Sequence, residues 1–123
     1  MANEASVGVL AYLGDSVLEL CTRRRLCSLG IADAGKLNSM ALEYVRASSQ
    51  ARAMDNIEPI LTEEESDIFR RGRNHSASVP KSASVKDYRR ATGMEALFGW
   101  LYTKDRTERI NELFDIAYPK NIQ

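Results

Sequence analysis

The chain has 123 residues, 44% of them hydrophobic and 28% charged, with 17 basic and 17 acidic side chains. This balance is typical of one globular domain, so we treat residues 1–123 as a single domain. No apolar run approaches the roughly 18 residues of a membrane-spanning helix, and the amino terminus lacks the basic start of a signal peptide. We therefore expect a cytoplasmic protein with no membrane partner.

The spacing of apolar residues predicts an all-α fold without strands. The first helix is expected from about Glu4 to Ser28, with Asn3 as its N-cap and Gly30 as its stop. A second helix is expected over about 36–47 and a third over about 48–57. These three helices form the first half of the predicted domain.

A capping box predicts where the fourth helix starts, because Thr62 and Glu65 have the required spacing. Segment 72–83 contains serines, a proline and no periodicity, so it is predicted to be a mobile loop. The fifth helix is expected from Ser84 to about residue 104, and the sixth from Asp105 onward. The sixth carries an apolar stripe that is expected to pack in the core.

The cysteines and the histidine suggest no catalytic chemistry. Cys21 and Cys27 match neither a CxxC motif nor a metal-ligand spacing, so both are predicted to be buried free thiols in a reducing compartment. His75 lies in the predicted loop without an evident partner to orient it. A surface or RNA-contacting role is therefore favoured for His75 over catalysis.

Charge is segregated along the chain although its formal sum is zero. Between residues 70 and 90 there are seven cations and one acid, whereas residues 58–67 are rich in acids. The cations are Arg70, Arg71, Arg73, Lys81, Lys86, Arg89 and Arg90. A local basic surface can bind phosphate even in a neutral protein, and a solvated face without a ligand is the alternative.

Two acids stand out because each lies within an apolar helix. Asp15 lies among apolar residues that cover the first helix on every side, which predicts a buried helix. Glu95 is the only charge between residues 91 and 102. A buried carboxylate is costly unless it pairs with a cation, shares a proton or binds a metal.

Three glycines in the helix interiors, Gly14, Gly93 and Gly99, flank these acids. Each costs about 1 kcal/mol relative to alanine, and close approach of two helices would explain that cost. We therefore predict that the first and fifth helices pack together and bring Asp15 and Glu95 to one site. Mg²⁺ binds such oxygen ligands, keeps several waters and activates water towards a phosphodiester.

Other pairings stay open at this point. Each of the two acids could instead form a buried salt bridge with an arginine. Glu19 lies one turn after Asp15 and could be a third site carboxylate, or it could pair with Arg23, four residues further on.

Two segments resemble the ribonuclease III family. LAYLGDSVLEL at 10–20 is similar to the family's signature helix, in which Asp15 matches the catalytic aspartate. ATGMEALFGWLY at 91–102 resembles the second catalytic helix, in which Glu95 matches a metal-binding glutamate. RRGRN, PK and DYRRATG, which begin at Arg70, Pro80 and Asp87, are similar to the short bacterial form, Mini-ribonuclease III. The resemblance spans residues 5–118 approximately.

The resemblance implies a homodimeric ribonuclease III-type endonuclease with one Mg²⁺ site in each subunit, built on Asp15 and Glu95. It implies cleavage of double-stranded RNA by an activated water, which leaves 5′-phosphate and 3′-hydroxyl ends. Tyr12 becomes a candidate for the dimer interface, and precursor ribosomal RNA becomes the expected substrate. Whether a ribosomal protein assists is left open.

Two departures from the full-length family affect the expected site. The family usually carries an acid four residues before the aspartate and three before the glutamate, whereas this chain has Ala11 and Thr92. Glu19 and Thr92 are then candidates for supporting the ion. No double-stranded-RNA-binding domain is expected, so RNA contact is assigned to the seven cations between residues 70 and 90, together with Asn74.

Two other classes of function remain as alternatives. One is a non-catalytic ribonuclease III-like domain that binds RNA or serves in assembly, but isolated acids inside apolar helices argue against it. The other is a helical interaction module without a nucleic-acid role, which would leave the basic segment unexplained.

Overall fold

The computed structural model describes residues 5–75, 79–81 and 84–120. Within these ranges the chain forms six α-helices, a short 3-10 helix at Glu58–Ile60 and no strand, which confirms the all-α prediction. The helices are α1 (Val7–Cys27), α2 (Ala34–Val45), α3 (Ala47–Ile57), α4 (Glu63–Arg73), α5 (Val85–Thr103) and α6 (Thr107–Ala117). None of the helices in the described part of the chain has the length and apolarity that crossing a membrane requires.

Side-chain caps begin most of the helices. The predicted capping box is present, since Thr62 accepts a hydrogen bond from the Glu65 backbone and the Glu65 carboxylate accepts one from the Thr62 backbone. Ser84 caps α5 in the predicted way. Ser6 caps α1, and the predicted cap Asn3 lies outside the described residues. Local sequence therefore determines these helix starts.

Two features between helices differ from the predictions. Asp105 does not cap α6, because it adopts a left-handed turn with φ 57°, and Arg106 precedes the helix instead. The predicted loop at 72–83 begins later than expected, because α4 continues to Arg73. Residues 76–78 and 82–83 of that loop lie outside the described ranges.

α5 is the central helix, and α1, α3 and α4 all pack on it. Its crossing with α1 is so close that a Cβ on Gly14 would lie 1.6 Å from the carbonyl oxygen of Glu95. A Cβ on Gly99 would lie 2.0 Å from a carbonyl oxygen of α1. These two glycines therefore serve the predicted α1–α5 contact, whereas Gly93 lies against α4, where its Cβ would meet an aromatic ring at 2.7 Å.

The prediction that α1 is buried on every side is wrong for the single chain. Val9, Tyr12 and Leu20 are 55%, 82% and 68% exposed. Their spacing of three and eight residues places them on one face of the helix, which no other described element covers. The prediction that both thiols are buried also fails, because Cys21 is buried and Cys27, at the last turn of α1, is exposed.

A buried ion pair joins α4 to α6. Glu65 is 2% exposed, and Arg109 donates to both of its carboxylate oxygens at 2.8 and 2.9 Å. The same guanidinium also donates to the carbonyl oxygen of Ile60 at 3.0 Å. Glu65 thus caps its own helix and anchors another.

Candidate active site

Asp15 on α1 and Glu95 on α5 line one cavity of about 250 Å³. The close crossing brings them together, because Gly14, which precedes Asp15, touches the backbone of Glu95. The remaining lining residues are Gly8, Ala11, Tyr12, His75, Tyr88 and Thr92. The structure therefore unites the two acids that the sequence places 80 residues apart.

The two carboxyl groups interact strongly. The pKa of Glu95 is raised to about 8. Burial is the main cause, and the negative charge of Asp15 contributes to the same rise. The amide of Gln50 acts in the opposite direction and lowers this pKa. An acid with so high a pKa lies in surroundings where negative charge is poorly compensated. A bound cation would compensate it.

No arginine neutralises this pair within the described part of the chain. The ion pairs found there involve neither Asp15 nor Glu95. The salt-bridge alternative left open by the sequence is therefore not observed among these residues. Asp15 is exposed and Glu95 is partly buried, so the site lies at the rim of the core and is open to solvent, less deep than expected.

The residues of the cavity fit a small hard cation. Two carboxylates supply charged oxygen ligands, and the cavity has room for waters, which Mg²⁺ characteristically retains. Thr92 adds a hydroxyl, which donates to the carbonyl oxygen of Tyr88 at 3.0 Å. No cluster of three or more His, Cys, Asp or Glu side chains suited to a metal occurs among the described residues. Any ion here would depend on two carboxylates and water.

Glu19 does not line the cavity. Its carboxylate accepts a hydrogen bond from Arg23 at 3.0 Å, which is the alternative pairing that the sequence suggested. His75 lies closer to the site than the sequence indicated, since its imidazole lines the cavity and a Cβ on Gly8 would lie 3.1 Å from its Nε2. His75 is exposed at the cavity rim.

Sequence reasoning missed Gln50, although a signal was present. Gln50 lies on the same helical stripe as Ala47, Ala51 and Met54, where an apolar residue is expected. It is 2% exposed and, like Glu95, lines a second cavity of about 630 Å³. A polar residue on the buried stripe of a helix is the pattern that could have revealed it.

The basic segment is partly neutralised by acids of the same chain. Arg90, whose side chain is 13% exposed, donates to Asp55 at 2.6 Å and to Glu58 at 2.9 Å. Arg70 and Arg71 approach Asp67 at 3.6 and 3.9 Å. Arg73 donates to Asn74, whereas Lys81, Lys86 and Arg89 are exposed. The structure therefore favours a structural role for Arg90.

Comparison with protein families gives the class to which this fold and site belong. The model of the Ribonuclease III domain matches residues 8–106, a range that contains both Asp15 and Glu95. The chain therefore belongs to the ribonuclease III family.

Relatives and a solved structure narrow this assignment. Proteins called Mini-ribonuclease 3 from Symbiobacterium thermophilum and Brevibacillus brevis are 43% identical over 109 residues and 41% identical over 111 residues. These alignments cover 88% and 89% of this chain and 84% and 83% of the relatives. The crystal structure of a Fusobacterium nucleatum protein is 30% identical, with a TM-score of 0.85 over 94% of this chain and 93% of that one. The chain is thus an endoribonuclease of the Mini-ribonuclease III type, and the two alternative classes are set aside.

Proposed function

We propose that the chain is a magnesium-dependent endoribonuclease that cleaves double-stranded RNA as a cytoplasmic homodimer, in the maturation of precursor ribosomal RNA. One observation carries this proposal: in a ribonuclease III fold, two carboxylates without a cationic partner among the described residues share a solvent-open cavity. The names of the Mini-ribonuclease 3 relatives support the reaction class. The substrate is proposed from resemblance alone.

In this proposal Asp15 and Glu95 hold the ion. Bound there, Mg²⁺ would supply an activated water and positive charge at the attacked phosphodiester, with 5′-phosphate and 3′-hydroxyl ends as products. Asp15 presents its carboxylate from the exposed side, and Glu95 presents its own from the core side. Thr92 orients a water through its hydroxyl, whose proton is directed to the carbonyl of Tyr88.

The exposed apolar face of α1 supports the dimer. Val9, Tyr12 and Leu20 form a stripe that a second copy of the chain would cover. Tyr12 also lines the carboxylate cavity, so a partner on this face would border the site. Two such sites related by a two-fold axis are suited to cutting one strand each.

RNA recognition would depend on the phosphate backbone, because the base edges of paired A-form RNA are poorly accessible. The exposed cations Lys81, Lys86 and Arg89 are the strongest candidates, since they form no ion pair among the described residues. Arg70, Arg71, Arg73 and Asn74 are further candidates at the end of α4. Arg90 contributes mainly through its two ion pairs.

The substitution Asp15→Asn tests the proposal. It keeps the size of the side chain and removes the charge that would bind the ion. We expect a folded dimer that binds duplex RNA and does not cut it at any Mg²⁺ concentration. Glu19→Gln is the matched control, because it changes a carboxylate on the same helix that lies outside the cavity, and it should cut normally.

The assay is incubation of a defined duplex RNA with and without Mg²⁺, followed by mapping of the product ends. Cleavage by Asp15→Asn at the wild-type rate would refute the assignment of this residue. Wild-type protein that fails to bind duplex RNA at low salt, where phosphate contacts are strongest, would refute the RNA substrate. Accumulation of precursor ribosomal RNA in cells that carry only the Asp15→Asn form tests the proposed pathway.

A further inference from the structure

One buried polar side chain, Gln50, has a donor without a hydrogen-bond partner among the described residues. Gln50 is 2% exposed, and its Nε2 makes no hydrogen bond with the described residues. A buried donor without a partner destabilises the folded state, and an apolar residue of the same size would avoid that cost. The amide is therefore informative about the site beside it.

Gln50 and Asp15 border Glu95 through different cavities. Gln50 lies in the first turn of α3 and lines the 630 Å³ cavity, which Asp15 does not line. Asp15 lines the 250 Å³ cavity, which Gln50 does not line. Glu95, Tyr88 and Thr92 border both. The Glu95 side chain thus lies between an acid that faces it in one cavity and an amide that faces it in the other.

The Gln50 amide also carries N–H donors, which can stabilise Glu95 as a carboxylate. The Gln50 side chain lies within reach of the Glu95 carboxyl group, on the cavity that both residues line. The Gln50 N–H groups are close enough to favour the carboxylate, yet Nε2 does not meet the geometry of a formed hydrogen bond. This is the arrangement expected of a donor that completes its bond when Glu95 is held as a carboxylate.

We propose that Gln50 is a positioning residue for Glu95: its amide donates to one carboxylate oxygen, so that the other faces Asp15 and the cation. The inference rests on the proposed function, because it concerns the same magnesium site. Gln50 itself does not contact the ion. Outer partners of metal-ligating carboxylates have this effect in other proteins, where their removal weakens metal binding by about ten- to a hundredfold.

Gln50→Met tests the role directly, because methionine has nearly the same length and no donor. The variant should bind Mg²⁺ about tenfold or more weakly in a calorimetric titration of the intact protein, and the Mg²⁺ concentration for half-maximal cleavage should rise equally. Its unfolding temperature without Mg²⁺ should not fall, because no hydrogen bond is lost. Ser49→Ala is the control: Ser49 is a buried polar residue of the same turn that lines neither cavity, and Mg²⁺ affinity should be unchanged.

Gln50→Glu should change the response to Mg²⁺ in the opposite direction from Gln50→Met. It places a third carboxylate beside Glu95, so the ion-free protein should unfold at a lower temperature, and Mg²⁺ should raise that temperature more than in the wild type. A glutamate at this position that lay away from Glu95 would give no such change, so the variant tests whether side chain 50 faces Glu95. If Gln50→Met does not fold, this variant decides the question.

Wild-type Mg²⁺ affinity and cleavage in Gln50→Met, or no enhanced Mg²⁺ response in a folded Gln50→Glu, would overturn the role of Gln50. Either result leaves the proposed function intact as long as the wild type cuts duplex RNA with Mg²⁺. Wild-type protein that neither binds Mg²⁺ nor cuts would refute the proposed function itself. The two failures are therefore distinguishable.

Discussion

The crossing of α1 and α5 makes Gly14→Ala a severe test of the fold and of the site together. A Cβ at this position would lie 1.6 Å from the carbonyl oxygen of Glu95 and 2.9 Å from the backbone nitrogen of Gly99. Real Cβ atoms essentially never lie closer than 3.0 Å to such atoms, so the two backbones must separate by about 1.4 Å. Backbone cannot rotate away as a flexible side chain can.

The expected loss follows from two opposing effects. Alanine in a helix interior is favoured over glycine by about 1 kcal/mol. Overpacking a well-packed core costs about 1–3 kcal/mol and occasionally more, and a clash between two backbones belongs at the upper end. We expect a net loss of about 2 kcal/mol in the free energy of unfolding. For a domain of this size that lowers the unfolding temperature by about 8 °C.

The measurement is urea and thermal unfolding of the ion-free protein, with duplex cleavage as a second readout. Gly8→Ala is the control on the same helix, because its Cβ would meet only the His75 imidazole, at 3.1 Å, and that side chain can move. The control should be at least as stable as the wild type, because no backbone clash opposes the helix preference of alanine there. Gly14→Ala should also lose about a hundredfold in cleavage, because it displaces Asp15 from Glu95. A variant as stable and as active as the wild type would refute the close contact.

Three further predictions concern single groups. Burial raises the pKa of Glu95 from the ordinary 4.5 to about 8, so the folded state binds the extra proton and wild-type stability falls as pH rises through that window. Ion-free Glu95→Gln should therefore exceed wild type by roughly 5 kcal/mol at pH 9 and equal it near pH 4; equal stability at both values contradicts the shift. Arg109→Met leaves the buried Glu65 carboxylate without its cationic partner, so the free energy of unfolding in urea should fall by about 3 kcal/mol. A loss near zero would contradict the importance of this ion pair. A thiol reagent should label Cys27 in the native chain and Cys21 only after unfolding, so rapid labelling of both would be inconsistent with the fold.

The helices could be predicted because their signals are local. Thr62 and Glu65 satisfy each other's backbone groups within one turn, and Ser84 needs only the first turn of α5. Asp105 has the composition of a cap, but the chain reverses there in a left-handed turn, which depends on how α5 and α6 meet. Cys27 lies beside the buried Leu26 in the last turn of α1, but it is on the exposed side of the helix, seven residues after the exposed Leu20. Both errors come from tertiary structure that no local pattern contains.

The charge pattern overstated the basic surface for a related reason. Counting cations between residues 70 and 90 does not show which of them have acidic neighbours. Arg90 reaches back to Asp55 and Glu58, which precede it by more than 30 residues and lie at the end of α3 and in the 3-10 helix that follows it. The acids that appear segregated in sequence are adjacent in the fold. The surface proposed to bind RNA therefore shifts towards Lys86 and Arg89.

The meeting of Asp15 and Glu95 in one cavity could be predicted from sequence, because the glycine that allows the close helix contact directly precedes one of the acids. Gly14 is required by the backbone of Glu95, and it immediately precedes Asp15, so the contact that excludes a side chain also sets the two carboxyl groups in one cavity. Gln50 gives a weaker signal, because its position on the apolar stripe of α3 becomes meaningful only when the fold shows that this face is buried. A glycine beside an isolated acid therefore predicts both that two helices approach closely and that the acid lies at their contact. Separating α1 from α5 should therefore reduce stability and the proposed ion binding together, whereas Gln50→Met should affect the proposed ion binding alone.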